Sequence, residues 1–456
     1  PVPRDPAPRT PASPASARAD APAGAVPRPR PPAARPPAFR PPDDGRDASA
    51  TVPPPGDDGS PGAGTGERLA FFATAAKGTE GALRDELREL RLRRVRADRG
   101  GVHFEGSWAD AWRACLHSRI ALRVLHPLGT FDAVGGDGLY DAVRTLDWTP
   151  YLTPAHTLAV TAFCRDSALT HTNFIAQRTK DAIVDPLRDR LGARPSVDRK
   201  DPDVHVFVHL VRDRLTVYLD LAGESLHRRG YRANAMEAPL KETLAAAILR
   251  LAGWDPERPF VDPMCGSGTL AIEAAMRAAR VAPGLLRRRM GFERWASFGD
   301  AHARILADLR ARARDAQRPP PAPILAMDVD PQAVELARAN ARLAGVRIEC
   351  RRQAIPDLAL DGPAGLIATN PPYGQRLQAD AALYPAIATA LGRHPAWDVA
   401  VLAGDRAIER ALPRPDRWQA VFNGDLECRL LLYAGRAAGV PGDAAPAGRG
   451  RGRRAG

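Results

Sequence analysis

Residues 259–279 read PFVDPMCGSGTLAIEAAMRAA. A short apolar run ends at Asp262, a loop with Gly266 and Gly268 follows, and apolar residues recur at helical spacing from Thr269 onwards. That order is strand, glycine loop, helix. The two glycines allow a tight turn into the helix and close approach to the backbone. No Gly-Lys-Ser/Thr follows, so this is not a Walker loop, and Ala at 271 removes the GxGxxG fingerprint. The pattern repeats downstream. PILAMDVDPQAVELARANARLAG (323–345) is strand, acidic turn and helix, while GLIATNPPY (365–373) and WDVAVLAG (397–404) supply two more apolar strands. WQAVFNGDLECRLLLY (418–433) closes with two strands around Asn423-Gly424, a hairpin signal. With the helix LKETLAAAILRLAG (240–253) in front, this alternation with an antiparallel end predicts an open, doubly wound α/β sheet.

Upstream the pattern differs. LAFFATAAKG from Leu69 and RGGVHFEG read as strands. TEGALRDELREL, capped by Thr79, and SWADAWRACLHSR, with Trp108, Trp112 and Cys115 or Leu116 on one face, read as helices. Together they predict a small α+β module. Residues 131–222 form a second block, with β-branched strands around a helix near 172–191 that carries Arg178 and Lys180 opposite its apolar face. That basic face suits either solvent or a polyanion. HRRGYRANAMEAP (227–239) connects the block to the doubly wound region and interleaves Arg229 and Arg232 with Tyr231.

Residues 1–66 hold 19 of the 45 prolines, and their large apolar residues are Val2, Val26, Phe39 and Val52. Such a segment cannot bury enough surface to offset its ordering entropy, and it lacks the apolar core of a signal peptide. A disordered tail is predicted there, and a flexible basic tail at 437–456, which contains GRGRGRR. The chain carries a net charge of +12, of which +8 falls on residues 67–436, a balance that suits a polyanionic partner. Its five cysteines are scattered and form no CxxC pair, which argues against a disulfide framework or a zinc site and fits a reducing cytoplasm. No apolar run is long enough to span a bilayer, so no membrane partner and no metal are expected.

Three strand ends carry the chemistry. In doubly wound sheets ligands bind beyond the carboxyl ends of the strands. Asp262 with Gly266 and Gly268 is the first. Asp328, ending the next strand, can accept hydrogen bonds from both hydroxyls of a ribose, while Asp330 before Pro331 is placed to cap the following helix. The third is Asn370-Pro371-Pro372-Tyr373. The prolines stiffen the corner and carry no N–H, so the Asn370 side-chain oxygen and the Pro371 carbonyl can both accept from one amino group, and Tyr373 can stack on a flat base.

DPMCGSGTL, DVDPQAV and NPPYGQRL, in that order, resemble class I S-adenosylmethionine-dependent methyltransferases of exocyclic amino groups. With HRRGYRANAMEAPLKETLAAAIL and the ending NGDLECRLLLY, the resemblance extends to the bacterial THUMP-domain RNA methyltransferases that make N2-methylguanine in 23S ribosomal RNA. It implies a ferredoxin-like part at 67–130, a THUMP RNA-binding domain at 131–225 and a Rossmann-like methyltransferase domain at 226–436. It also implies S-adenosylmethionine as cofactor and 23S rRNA, or its large-subunit precursor, as partner. Carried over residue by residue, Asn370, Pro371, Pro372 and Tyr373 are catalytic. Asp262, Gly266, Gly268, Thr269, Asp328 and Thr243 hold the cofactor. Arg178, Lys180, Arg229 and Arg232 are the candidate RNA contacts. Where the family places an acid near the adenine amino group, this chain has Ala354 and Ile355, with Asp357 further along. Some relatives carry a second methyltransferase domain, and only one is expected here. Two other functions use parts of the same pattern: an adenine-N6 DNA methyltransferase, since Asn-Pro-Pro-Tyr serves that chemistry too, and a non-catalytic RNA-binding ribosome-assembly factor.

Overall fold

The computed structural model describes residues 68–232, 240–373 and 382–436. The expected tails at 1–66 and 437–456 lie outside the described residues.

The first half of the chain runs β1 (Leu69–Thr74), α1 (Glu80–Glu89), β2 (Arg93–Asp98), β3 (Gly101–Gly106), α2 (Trp108–His117), β4 (Arg123–Asp132), α3 (Gly135–Arg144), β5 (Thr157–Arg165), α4 (Thr172–Leu191), β6 (Ser196–Val197), β7 (Val204–Val211) and β8 (Arg214–Asp220). These strands form one sheet in the order β2-β3-β1-β4-β8-β7-β5-β6. The boundary expected between residues 130 and 131 falls inside β4. The start of β4 pairs with β1, Val124 opposite Ala73, and the strand goes on to pair with β8 as far as Asp132 opposite Arg214. A register shift between Pro127 and Gly129 marks where it bends, and the two modules are fused through this one strand.

One local detail differs in mechanism from the sequence reading. Thr79 does not cap α1: its hydroxyl donates to the Ala76 carbonyl at 2.7 Å. The first-turn residue Glu80 takes the Gly78 N–H at 2.8 Å instead. Ser107 does cap α2, in a reciprocal capping box with Asp110.

The second half runs α5 (Glu242–Leu251), β9 (Phe260–Asp262), α6 (Thr269–Ala278), α7 (Asp300–Asp315), β10 (Ile324–Asp328), α8 (Pro331–Leu343), β11 (Glu349–Arg352), β12 (Leu366–Thr369), α9 (Leu383–Gly392), β13 (Asp398–Ala403), α10 (Arg406–Ala411), β14 (Arg417–Asn423) and β15 (Leu426–Tyr433). The sheet order is β11-β10-β9-β12-β13-β15-β14, with the first five strands parallel and β15 antiparallel to both neighbours. This is the expected doubly wound architecture. The strand order reverses between β9 and β12, which makes a crevice at their carboxyl ends. Asp330 caps α8 by accepting from the Gln332 N–H at 2.8 Å, with Pro331 at the first helical position.

Residues 280–322, to which the sequence reading assigned no element, join the two halves. Phe292 stacks on Trp112 of α2 with ring centroids 5.0 Å apart, and Trp295 meets Trp108 edge-on at 5.6 Å. The Phe292 N–H donates to the Leu221 carbonyl just past β8. From the other side, the Arg119 guanidinium reaches the Met276 and Val281 carbonyls at 3.2 and 2.8 Å. Aromatic burial and paired backbone groups thus hold the first sheet against α6, the helix that leaves the glycine loop.

Candidate active site

A cavity of about 620 Å³ opens at the carboxyl ends of β9, β10, β11 and β12. Asp262, Gly266, Thr269, Asp328, Asn370, Pro371, Pro372 and Tyr373 all line it, so residues more than a hundred positions apart in sequence converge as expected.

The glycine loop is pinned to the next strand: the Cys265 N–H donates to the Met327 carbonyl at 2.8 Å, and the Gly266 N–H to Asp328 Oδ2 at 2.8 Å. Gly266 and Gly268 both have positive φ, 51° and 81°, but serve different ends. A Cβ on Gly266 would meet open space, so this glycine leaves room beside the cavity. A Cβ on Gly268 would stand 2.9 Å from the Cβ of Ala337, so this glycine lets α6 start close against α8. Asp328 Oδ1 accepts from the Asp330 N–H at 3.0 Å. Each carboxylate oxygen keeps a second lone pair for a ligand hydroxyl.

Asp262 is 1% exposed. Burial pushes its carboxyl up to about 8; the Met264 N–H opposes the shift and the Asp328 charge adds to it. Cys265 is buried and its thiol is pushed well up for the same reason, which disfavours the thiolate.

At the Asn-Pro-Pro-Tyr corner, Asn370 Oδ1 is buried and has no donor among the described residues. Pro371 and Pro372 offer none either. The corner is braced by residues that carried no functional reading in the sequence. The Tyr384 hydroxyl, on α9, shares its hydrogen between the Pro372 carbonyl at 3.0 Å and Asp405 Oδ2 at 2.9 Å. Gly404, just past β13, lies flat against the Tyr373 ring, where any Cβ would collide with it. Asn423 Nδ2 donates to the Tyr373 hydroxyl at 3.1 Å. Asn423 and Gly404 were legible as a hairpin residue and a strand end; their approach to Tyr373 crosses between strands and leaves no local pattern.

Other candidates stand elsewhere. Thr243 is 2% exposed in the first turn of α5 and does not line the cavity; the residue of this segment that does is Leu240. Asp357 does not line it either, and the wall there is Gln353, Ala354, Ile355 and Pro356. Arg229 is not an RNA contact: it is 1% exposed, with its Nε 3.4 Å from Glu273 and Nη1 on the Leu226 carbonyl at 2.7 Å. Arg232 is also turned inward, onto Glu242 at 2.6 Å and the Leu240 carbonyl at 2.7 Å. Both tie the connector to the catalytic domain. Arg178 bridges α4 to α3 through Asp137 at 2.7 Å and stacks on Tyr140, and Lys180 pairs with Asp181 at 2.5 Å. Among the described residues no cluster of His, Cys, Asp and Glu could hold a metal ion, and no helix is long and apolar enough to cross a membrane.

Residues 229–431 match the family model of the RMKL-like methyltransferase domain, UPF0020. Residues 70–125 match the RlmL ferredoxin-like domain and 137–220 the THUMP domain. The chain is 32% identical to SMU.472, solved in complex with SAH, over 82% of this chain and 100% of that one, with a TM-score of 0.72. The chain belongs to the RMKL-like methyltransferase family. A second similar solved structure is a predicted N6-adenine-specific DNA methylase from Listeria monocytogenes, 31% identical over 81% of this chain and 97% of that one, TM-score 0.72. Among curated proteins, the ribosomal RNA large subunit methyltransferase K/L of Syntrophotalea carbinolica is 44% identical over 383 residues, 80% of this chain and 53% of the relative. The chain thus spans about half the length of the curated RMKL-like relatives it matches.

Proposed function

We propose that the chain transfers a methyl group from S-adenosylmethionine to the exocyclic amino group, N2, of a guanine in 23S ribosomal RNA or its large-subunit precursor, in the cytoplasm. The observation that carries this reading is the Asn370 corner: a buried carboxamide oxygen without a donor among the described residues, at a cavity also lined by a glycine loop and by the carboxyl groups of Asp262 and Asp328. RNA and ribosomal RNA enter through the THUMP match and through relatives named ribosomal RNA large subunit methyltransferase K/L at 40–44% identity.

The residues fit the cofactor. Space beside Gly266 suits an approaching ligand, Asp328 has acceptors for two ribose hydroxyls, and Asp262 offers a carboxyl to the cationic methionine part. S-adenosylmethionine, when bound, supplies a methyl group already activated on a sulfonium sulfur. Asn370 Oδ1 and the Pro371 carbonyl accept the two amine hydrogens and turn the nitrogen lone pair towards the cavity. Tyr373, fixed by Gly404 and Asn423, stacks on a base extruded from its helix. The new N–C bond forms as the C–S bond breaks, and the amine proton leaves to solvent. What the protein contributes is alignment to within a near-attack distance of ~3–3.5 Å.

The decisive experiment incubates the protein and S-adenosylmethionine with an unmodified 23S rRNA transcript and reads the digested nucleosides by mass spectrometry. N2-methylguanosine is the expected product. N6-methyladenine formed in DNA instead, the activity named for the Listeria relative, would replace the substrate. No methylated nucleoside from either would leave an RNA-binding assembly factor.

Cofactor affinity is expected to depend on pH in one direction. Below about pH 8 the free protein holds Asp262 protonated. A cation beside it favours the carboxylate, so binding releases a proton and tightens as pH rises towards about 8. Titration calorimetry should show this slope in wild type and lose it in Asp262→Asn, which also binds more weakly; the same slope in both would exclude Asp262 as its source.

A further inference from the structure

We propose that Lys77, on the N-terminal module, binds the RNA phosphate next to the nucleotide whose base enters the cavity. The inference rests on the RNA reading above and adds a residue that neither motif nor family match assigns.

β14 is the edge of the catalytic sheet. It is antiparallel to β15, which is antiparallel to β13, so β14 points the same way as β13. Its last residues, Phe422 and Asn423, therefore lie at the cavity end of the sheet. The turn between β1 and α1 is laid along this edge. Gly78, at φ 87°, stands so close to the Ala420 carbonyl that any Cβ would collide with it, and Gln419 Nε2 donates to the Gly78 carbonyl. This places Lys77 Nζ 4.2 Å from the centroid of the Phe422 ring. The next residue, Asn423, is the one that holds the Tyr373 hydroxyl. A cation from the first sheet is thus seated two residues' contact away from the base platform of the second.

Its electrostatic situation sets it apart from the basic residues singled out in the sequence. Arg178, Lys180, Arg229 and Arg232 each have a carboxylate partner. Lys77 is exposed and has no carboxylate partner among the described residues. The Phe422 ring restrains its stem and attracts its charge without consuming its hydrogen-bond donors. A nucleotide whose base is swallowed by a cavity leaves its phosphates on the rim, and a lysine ammonium is a compact charge with three donors suited to a phosphate oxygen. Phosphate contacts of this kind fix register without reading sequence. The base itself is left to the Asn-Pro-Pro-Tyr corner.

The test compares wild type, Lys77→Gln and Lys77→Arg in the full chain, using a 23S rRNA fragment as probe. Affinity is measured across a salt series, together with S-adenosylmethionine affinity and the melting temperature. Lys77→Gln is expected to weaken RNA binding by about threefold to tenfold and to flatten the slope of log K against log salt by about one, with cofactor affinity and melting temperature unchanged. Lys77→Arg should restore both. An unchanged salt slope in Lys77→Gln overturns the proposal. So does a drop in melting temperature with equal loss of both ligands, which would make Lys77 only a pin between the two halves. Methyl transfer by wild type is scored separately by nucleoside mass spectrometry, so the salt slope reports on Lys77 even where the guanine reading fails.

Discussion

Asn370→Ala is expected to slow methyl transfer by about 10²–10³-fold while leaving S-adenosylmethionine affinity unchanged. The estimate is that for removing one preorganised polar group aimed at the reacting atom. The substitution deletes the buried Oδ1 that lacks a donor among the described residues and leaves the Pro371 carbonyl as sole acceptor. The cofactor wall, from Asp262 to Ser267 and at Asp328, lies at the ends of other strands and is untouched. Asn370→Asp, which keeps an acceptor, should retain part of the rate. Single-turnover transfer to RNA and calorimetry with the cofactor separate the two effects. A near-wild-type rate would remove Asn370 from the chemistry, and parallel loss of rate and cofactor affinity would mean a collapsed cavity instead.

The second large effect concerns stability. Arg229→Ala should cost about 3–5 kcal/mol, because breaking a fully buried pair from one side strands the other charge. Glu273 is 0% exposed, and among the described residues its carboxylate would keep the Tyr231 hydroxyl, at 3.3 Å, as its hydrogen-bond donor and the Arg119 charge nearby, while the Leu226 carbonyl would lose its guanidinium donor. Replacing both partners, as Arg229→Met with Glu273→Met, should recover most of the loss. The pH dependence follows from the direction of the Glu273 shift. Burial already holds that carboxyl above the ordinary carboxylate range. An acid with a raised folded pKa costs stability as pH climbs from its unfolded value through its folded one. Removing Arg229 raises the folded value further, so the deficit should be small in acid and full at neutral pH. Urea titrations at two pH values test this; a deficit equal at both would mean that Glu273 is not the stranded charge.

The outline of the catalytic half was readable because its information is local. Apolar runs ending in Asp262, Asp328 and Asn370 name both the strands and the sheet end where a ligand sits, and proline at 371 and 372 states outright that no N–H is there to donate. What could not be read was what depends on distant partners. Arg229 and Arg232, spaced around Tyr231, have the composition of an RNA-facing strip. Only the positions of Glu273 and Glu242, on two different helices, turn them inward. Thr243 sits beside the right segment, but the helical phase of α5 buries it away from the cavity. Lys77 falls at the end of the stretch read as the first strand and drew no functional reading there; Phe422, from the far end of the chain, lies beneath it.

The strand shared by the two N-terminal modules also shapes how the chain is made. β4 pairs its first three residues, Arg123 to Leu125, with β1, already synthesised, but from Leu125 to Asp132 it waits for β8 at residues 214–220. On the ribosome the ferredoxin-like half can therefore close early, while the far end of the same strand remains an open edge until most of the THUMP block has emerged. The pair cannot be inherited or trimmed as separable beads: a cut anywhere along β4 would leave one half of the sheet without its seam.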